Sequence, residues 1–480
     1  MNISEFEIWY RTRYHRTSSA LTSTALIVSD LLGVMLSFGS GFFLVNVYKL
    51  ESINFKSFVT YWPYLPVFII IFQIFRLYPG VSLAPAEELR SFTFGSLIAH
   101  GAIILSRYIE DEEFGPISVA FIISFFVSTL ILMICRSCMF SLLSKTSLGG
   151  IPTVIFGGGS TGQLIVDRLL KNKKMGYEPV LILDNDESTG NYYDTVPIIH
   201  DTALGPELVK RFNIKMAIVA MPELKHDELA KLLNYSVSAF RYNVLIPDLF
   251  DITNIWISVR DFDGILGFAS HQSLKMFWNL GVKRFVDLVV VLAGGIVVLP
   301  FLFIIALLIK IGSPGPVLYG HTRLGQNGRK IKVYKFRTMV IDAEERLKTL
   351  LASNPQIRTE WEVNFKLRND PRITKIGKFL RQTSLDEFPQ IINVLKNEMS
   401  LVGPRPIIGD EVEKYGETYE RIFSVKPGMT GLWQVSGRSD TDYNERISYD
   451  TYYLQSWSLW LDLWVLYKTF GVVLKGRGAY

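Results

Sequence analysis

Five long apolar stretches limit what this chain can fold into more than any other feature of its sequence. Four lie near 20–48, 60–78, 91–109 and 117–143, each about long enough to cross a hydrocarbon core of roughly 30 Å. The fifth, Leu288 to Ile309, is uncharged for 22 residues and is interrupted by Gly294-Gly295 and Pro300. Hydrophobic residues make up 49 % of the chain and the mean hydropathy is +0.24, too apolar for an ordinary soluble protein. Crowding of that apolar content before residue 145 and again at 288–309 predicts a membrane protein of two or three domains.

The basic residues predict how the segments are threaded. Arg11, Arg13 and Arg16 precede the first segment, Arg76 and Arg90 flank the connection after the second, and Lys145 follows the fourth. The remaining connections carry Lys49 and Lys56, or the acidic run Glu110–Glu113. These counts agree on a four-helix transmembrane bundle over 1–147 with both ends cytoplasmic. The fifth segment differs. Lys283 and Arg284 stand before it, and Lys310, Arg323, Arg329, Lys330 and Lys332 after it, so both flanks prefer the same side. A kink at Pro300 then predicts a re-entrant helix over 281–310 that enters and returns, with a straight crossing as the alternative.

Between these apolar regions the pattern alternates. The strand-like Thr153–Phe156 runs into Gly157-x-Gly159-x-x-Gly162, a helical pattern follows, and a second apolar strand ends in Asp184. Glycines for a tight turn with an acid for a ribose predict a Rossmann-like α/β module over 148–265, with its ligand-binding left open.

The chemistry concentrates in Arg381-Gln-Thr-Ser-Leu-Asp-Glu-Phe-Pro-Gln390. Pro389 belongs in a first helical turn, so a helix is expected to start near Ser384–Asp386. Phe388, Ile391, Ile392 and Leu395 would then form one apolar stripe. Ser384-x-x-Glu387 also spells a capping box, a purely local use of the acids. Against that reading stand Arg381, Tyr334-Lys-Phe-Arg-Thr-Met339 and Gly403-Pro-Arg-Pro406. Several cations gathered on two acids suit a metal ion and a diphosphate. A net charge of +5 favours anionic lipid and phosphorylated substrates. No nucleic-acid-binding motif is apparent, and Cys135 and Cys138 lie in an apolar run without a second pair for zinc.

The carboxyl-terminal half resembles the bacterial sugar transferases, the large monotopic phosphoglycosyl transferases. The matching motifs are Ser313-Pro-Gly-Pro316, Tyr334–Met339, Ser384-Leu-Asp-Glu387, Met399–Pro406 and Lys426–Arg438, in family order across 275–480. Ile246–Phe250, Arg260-Asp261 and Trp457–Asp462 are similar to the undecaprenyl-phosphate galactose phosphotransferase group. Met429 stands where many relatives carry Ile. The resemblance implies a cytoplasmic catalytic domain on the bacterial inner membrane. It implies a reaction in which UDP-hexose and undecaprenyl phosphate give undecaprenyl-diphospho-hexose and UMP, with Mg2+ as cofactor. That is a first membrane step in O-antigen, capsule or exopolysaccharide synthesis. It implies Asp386 as nucleophile with Glu387 as its partner, both at the metal. Arg381 and Arg405 are then expected on phosphate oxygens, Lys335 and Arg337 in support, and Arg438 on the nucleotide. Galactose rather than glucose rests on the subgroup likeness, and a homodimer is a candidate assembly. Two rivals are a membrane-tethered nucleotide-sugar dehydratase or epimerase using the Gly157 loop, and a non-catalytic scaffold. The first usually needs a Tyr-x-x-x-Lys pair, which the chain lacks.

Overall fold

A computed structural model describes residues 3–475 except 15–18, 49–58, 79–83, 112–113, 144, 147–149, 172–174, 247–256, 263–264, 271–272, 354–357, 359–366, 368–369 and 437–441. The chain divides into two compact units, Met1–Asp251 and Ile252–Tyr480.

The first unit opens with α1 (Ile3–Tyr14) and then a bundle of α2 (Ser19–Val47), α3 (Leu65–Ile74), α4 (Pro85–Asp111) and α5 (Pro116–Leu143). Small residues bring α2 and α5 together: a Cβ on Gly41 would meet the Ala120 carbonyl and Ser124 Oγ, so only glycine fits there. Three of the four expected spans, α2, α4 and α5, are long and apolar enough to cross a bilayer. The second is shorter than the sequence predicted. Its apolar helix covers Trp62–Ile74, about 20 Å at 1.5 Å per residue. Arg76 in the left-handed region (φ 58°) ends it, and Leu77 N donates back to the Phe72 carbonyl at 2.9 Å.

A buried charge holds the bundle. Arg136 on α5, 1 % exposed, donates from Nη2 to Asp30 Oδ2 of α2 at 2.6 Å and from Nη1 to Glu88 Oε1 of α4 at 2.8 Å. The Phe92 ring lies 4.6 Å from its guanidinium carbon.

Residues 151–245 form a six-stranded sheet from β1 (Ile151–Phe156), β2 (Tyr177–Leu183), β3 (Tyr192–Tyr193), β4 (Val196–Ile199), β5 (Met216–Val219) and β6 (Tyr242–Leu245). Its order is β3-β4-β2-β1-β5-β6, all parallel except the short edge strand β3. Two buried clusters cover its faces, as continuous apolar strands require. One of them recruits α1, whose Phe6 and Tyr10 rings meet Phe212 edge-on at 5.3 and 5.4 Å. The amino-terminal helix therefore belongs to this core. At the sheet's reversal point between β1 and β5 sits the glycine loop. Gly157 has φ +108°, and a Cβ on Gly162 would collide with the Gly157 carbonyl, whereas Gly159 faces open space. Asp184 differs from its expected use. Its Oδ2 accepts from Gly158 N at 2.5 Å and its Oδ1 from Asp186 N at 2.9 Å, so the carboxylate closes the loop itself.

The second unit begins with the hairpin β7 (Ile257–Phe262) and β8 (Ile265–Ser270), then α6 (Phe277–Gly312). This helix runs on through Pro300, 36 residues or about 54 Å if straight. Its two ends are fixed to the same folded body. Near the start, Lys283 Nζ bonds Asp462 Oδ2 at 2.6 Å, and Asp287 accepts from Ser400 Oγ at 2.7 Å and Leu401 N at 3.2 Å. Near the end, Ile309 is buried with Phe336 and Leu380, and Leu302, Ile305 and Ala306 pack beside them. Between these anchors Leu292, Ile296, Val297, Leu299 and Phe301 are exposed. The remainder builds on the antiparallel pair β9 (Leu318–Leu324) and β10 (Lys330–Phe336). The short parallel pair β11 (Ser400–Val402) and β12 (Gly428–Thr430) completes the strands. Helices α7 (Lys375–Thr383), α8 (Ile391–Leu395), α9 (Tyr443–Gln455) and α10 (Leu459–Lys475) surround them.

Candidate active site

The two acids are presented by a helix, a reversal and a tight turn. Thr374 caps α7, its Oγ1 accepting from Gly377 N at 2.9 Å. The helix ends at Ser384, whose left-handed backbone (φ 56°) turns the chain. Leu385–Gln390 follows as a 3-10 turn containing Asp386, Glu387 and Pro389. The acids are not spent on the capping box that the surrounding cations spoke against: Ser384 makes no side-chain cap bond and closes the preceding helix instead. Nor is the buried stripe Phe388, Ile391, Ile392 and Leu395: Leu395 is exposed, and Pro389, Gln390, Asn393 and Val394 are buried. A turn with three residues per revolution advances the inward face relative to an α-helix. Asn393 uses its burial to tie the turn to β10, accepting from Tyr334 N and donating to the Lys332 carbonyl.

Strand β10 and its extension deal successive residues to different tasks. Lys335 Nζ meets Glu387 Oε1 at 2.5 Å. Phe336 enters the core. Arg337, 8 % exposed, is turned to structure: it donates to the Ser313 and Pro314 carbonyls at 2.7 and 2.6 Å, just past the end of α6. Buried guanidinium donors must find acceptors, and these two carbonyls supply them. Thr338 Oγ1 accepts from Arg381 Nε at 3.0 Å and its carbonyl accepts from Thr374 N at 3.0 Å.

Arg405 is set by the pairing of two loops, in which Gly403 N donates to the Thr430 carbonyl and Gly428 N to the Pro404 carbonyl. Its guanidinium lies 5.8 Å from the Trp433 ring centre. With Lys335, Glu387, Arg323 and Gln434 it lines a cleft of about 290 Å³. By sequence alone Arg323 is only a charge flanking the fifth apolar segment. It reaches the cleft because β9 alternates its side chains, and its Nη1 is fixed on the Pro406 carbonyl at 3.2 Å. Three cations face the carboxylates of Glu387 and, beside Arg323 at 3.7 Å, Glu411, which leaves an excess of one positive charge. Such a cleft binds anions. Arg438 lies outside the described residues.

The neighbouring carboxyls are driven apart. Burial, then the Glu387 charge, pushes Asp386 up to about 6 against the pull of Lys335 and Arg381. Burial acts the same way on Glu387, but Lys335, Arg405 and Arg323 outweigh it and hold this carboxyl below its ordinary value. One acid therefore stays ionised while the other titrates near neutrality, the pattern of groups with distinct chemical duties.

The bacterial sugar transferase profile matches residues 278–476, which carry this cleft, and a CoA-binding domain profile matches 73–239. An undecaprenyl-phosphate galactose phosphotransferase of Salmonella typhimurium is 38 % identical over 71 % of each chain. A UDP-galactose-lipid carrier transferase of Erwinia amylovora is 38 % identical over 72 % of each. The chain belongs to the bacterial sugar transferase family. Within that family it is also 28 % identical to a UDP-glucose:undecaprenyl-phosphate glucose-1-phosphate transferase of Escherichia coli, over 85 % of this chain and 86 % of the other. The matched share is nearly the same for both members of each pair, so these transferases are about as long as this chain, and the likeness extends beyond residues 278–476.

Proposed function

We propose that this transferase moves hexose-1-phosphate from a UDP-hexose to undecaprenyl phosphate, releasing UMP. The observation that carries the reading is the Asp386–Glu387 pair in a cationic cleft, with Asp386 poised near pH 6 beside an ionised neighbour. An Asp386 carboxylate oxygen attacks the sugar-bearing phosphorus, a P–O bond forms, and the bond to the UMP oxygen breaks. The lipid phosphate oxygen then attacks the same phosphorus, which restores the carboxylate and completes the diphosphate. Arg405, Arg323 and Lys335 offset the charge gathered where anion meets anion. Arg381, held on Thr338, steadies the Asp386 side.

Asp386 and Glu387 are the two carboxylates that would hold a metal here, and among the described residues no three His, Cys, Asp or Glu side chains cluster. Two carboxylates completed by substrate phosphates and water suit Mg2+. Bound there, Mg2+ would neutralise phosphate charge and act as a Lewis acid at the attacked phosphorus.

The helix Phe277–Gly312 is read as re-entrant, holding the cleft at the cytoplasmic face of the inner membrane. Support comes from its anchors: Asp287 and Ile309 are both buried in one folded body, and the apolar middle is exposed. Encounter with a membrane-bound lipid phosphate then starts pre-oriented. Galactose is the favoured hexose because two relatives 38 % identical are named for it. The strand order of the middle module supports a Rossmann-like assignment.

Asp386→Asn, measured by UMP release from UDP-hexose in membranes, is expected to lose activity by on the order of 10³-fold or more. Full activity in that variant would refute the nucleophile.

A further inference from the structure

The hairpin that delivers Lys335 also carries two neutral groups that the reaction described above does not use. In the antiparallel register Tyr319 lies opposite Lys335, and His321 lies opposite Val333. Directly paired residues share a face of the hairpin, with Cβ atoms about 5 Å apart. Strand alternation puts Tyr319, His321 and Arg323 together on that face. Val333, Lys335 and Arg323 all line the cleft. Tyr319 and His321 therefore continue its wall past Lys335, which holds Glu387. Tyr319 is 53 % exposed, and its ring centre lies 6.4 Å from that of His321.

The state of His321 follows from one contact. Arg323 Nε donates to its Nδ1 at 3.0 Å, so Nδ1 is an acceptor and the proton of the neutral ring sits on Nε2. Burial first, then the Arg323 and Lys335 charges, keeps the imidazole below its ordinary pKa. In a cleft otherwise lined by Arg323, Lys335 and Arg405, an uncharged donor next to an exposed aromatic ring is suited to hydroxyls and a sugar face, not to phosphate oxygens.

We infer that Tyr319 and His321 form the hexose subsite of the cleft, with His321 Nε2–H donating to a sugar hydroxyl and Tyr319 packing against the sugar ring. The inference rests on the transferase reading, because the hexose must hang from the phosphorus that Asp386 attacks, beside Lys335.

The test uses the full chain in membranes, with UMP release measured for UDP-galactose and UDP-glucose and with UMP as a competing inhibitor. Wild-type turnover of a UDP-hexose is required first, and its absence would fail the transferase reading itself. His321→Ala is expected to lower kcat/KM for the preferred UDP-hexose about tenfold and to change the galactose-to-glucose ratio, since one hydrogen bond to a hydroxyl is lost. Inhibition by UMP, which has no hexose, should stay within about twofold. His321→Gln, which can accept from Arg323 and still donate, should recover part of the loss. Tyr319→Ala should repeat the pattern if His321→Ala does not accumulate. Unchanged hexose kinetics would overturn the inference. So would an equal weakening of UMP inhibition, which would make His321 a positioning residue for Arg323 and the phosphates.

Discussion

Two charge clusters in this molecule follow opposite rules. In the helical bundle, Arg136 meets Asp30 and Glu88, with Arg136 and Asp30 each 1 % exposed at the side chain. Acceptors from two helices, the Leu77 carbonyl and an aromatic face surround that guanidinium, and it serves to hold α2, α4 and α5 in register. In the catalytic unit, Lys335 and Glu387 are paired as closely, yet their side chains are 27 % and 31 % exposed. Arg323, 3.7 Å from Glu411, and Arg405 add further positive charge there. The cluster in the bundle is sealed, with acid in excess, while the one in the cleft keeps positive charge in excess facing an opening. The difference separates structural from chemical ion pairs in this chain better than distance does.

The comparison can be broken by variants in each cluster. The largest effect is expected from Asp386→Asn, which should abolish UMP release while thermal unfolding in detergent is unchanged. Arg136→Ala should do the reverse. Leaving Asp30 buried without its partner is expected to cost about 3–5 kcal/mol of stability, read as a lower unfolding temperature, and any folded fraction should keep its catalytic rate. Lys335→Met is expected to lower kcat about a hundredfold with little loss of folded protein; unfolding instead would erase the distinction between the clusters.

A pH profile sharpens the contrast. On the proposed mechanism attack requires ionised Asp386, whose carboxyl is raised to about 6. The expected kcat/KM therefore falls about tenfold per pH unit below that midpoint and levels off above it. Because Lys335 pulls Asp386 down, Lys335→Met should move the midpoint upward, and a downward move would contradict the geometry. The smallest effect lies at the helix before the dyad. Thr374→Ala removes a true cap and should cost about 1 kcal/mol in chemical unfolding, whereas Ser384→Ala removes no cap bond and should cost well under that.

Much of this was legible in the sequence where chemistry and pattern agree locally. The strand entering Gly157, the acids at 386–387, Lys335 and Arg405 could be read because each depends on a motif and its immediate neighbours. Arg136 was overlooked because averaging over an apolar run hides one charge whose partners are 48 and 106 residues away. The second span came out short because hydropathy counts residues and cannot see Arg76 reverse the chain. Ser384 spelled a cap, but its role depends on a backbone angle set by the helix before it. Arg337 and Arg323 exchanged expected parts: β10 ends at Phe336, so Arg337 leaves the alternation and meets the Ser313 and Pro314 carbonyls, while β9 carries Arg323 to the cleft.

Arg337 and Thr338 are neighbours in the chain, yet one clasps the segment leaving the long apolar helix and the other steadies Arg381. A single dipeptide thus works as a shared hinge pin. Movement of the helix end at Ser313 is passed through two adjacent residues to the Arg381 guanidinium, so the helix end and the turn that carries Asp386 cannot drift independently.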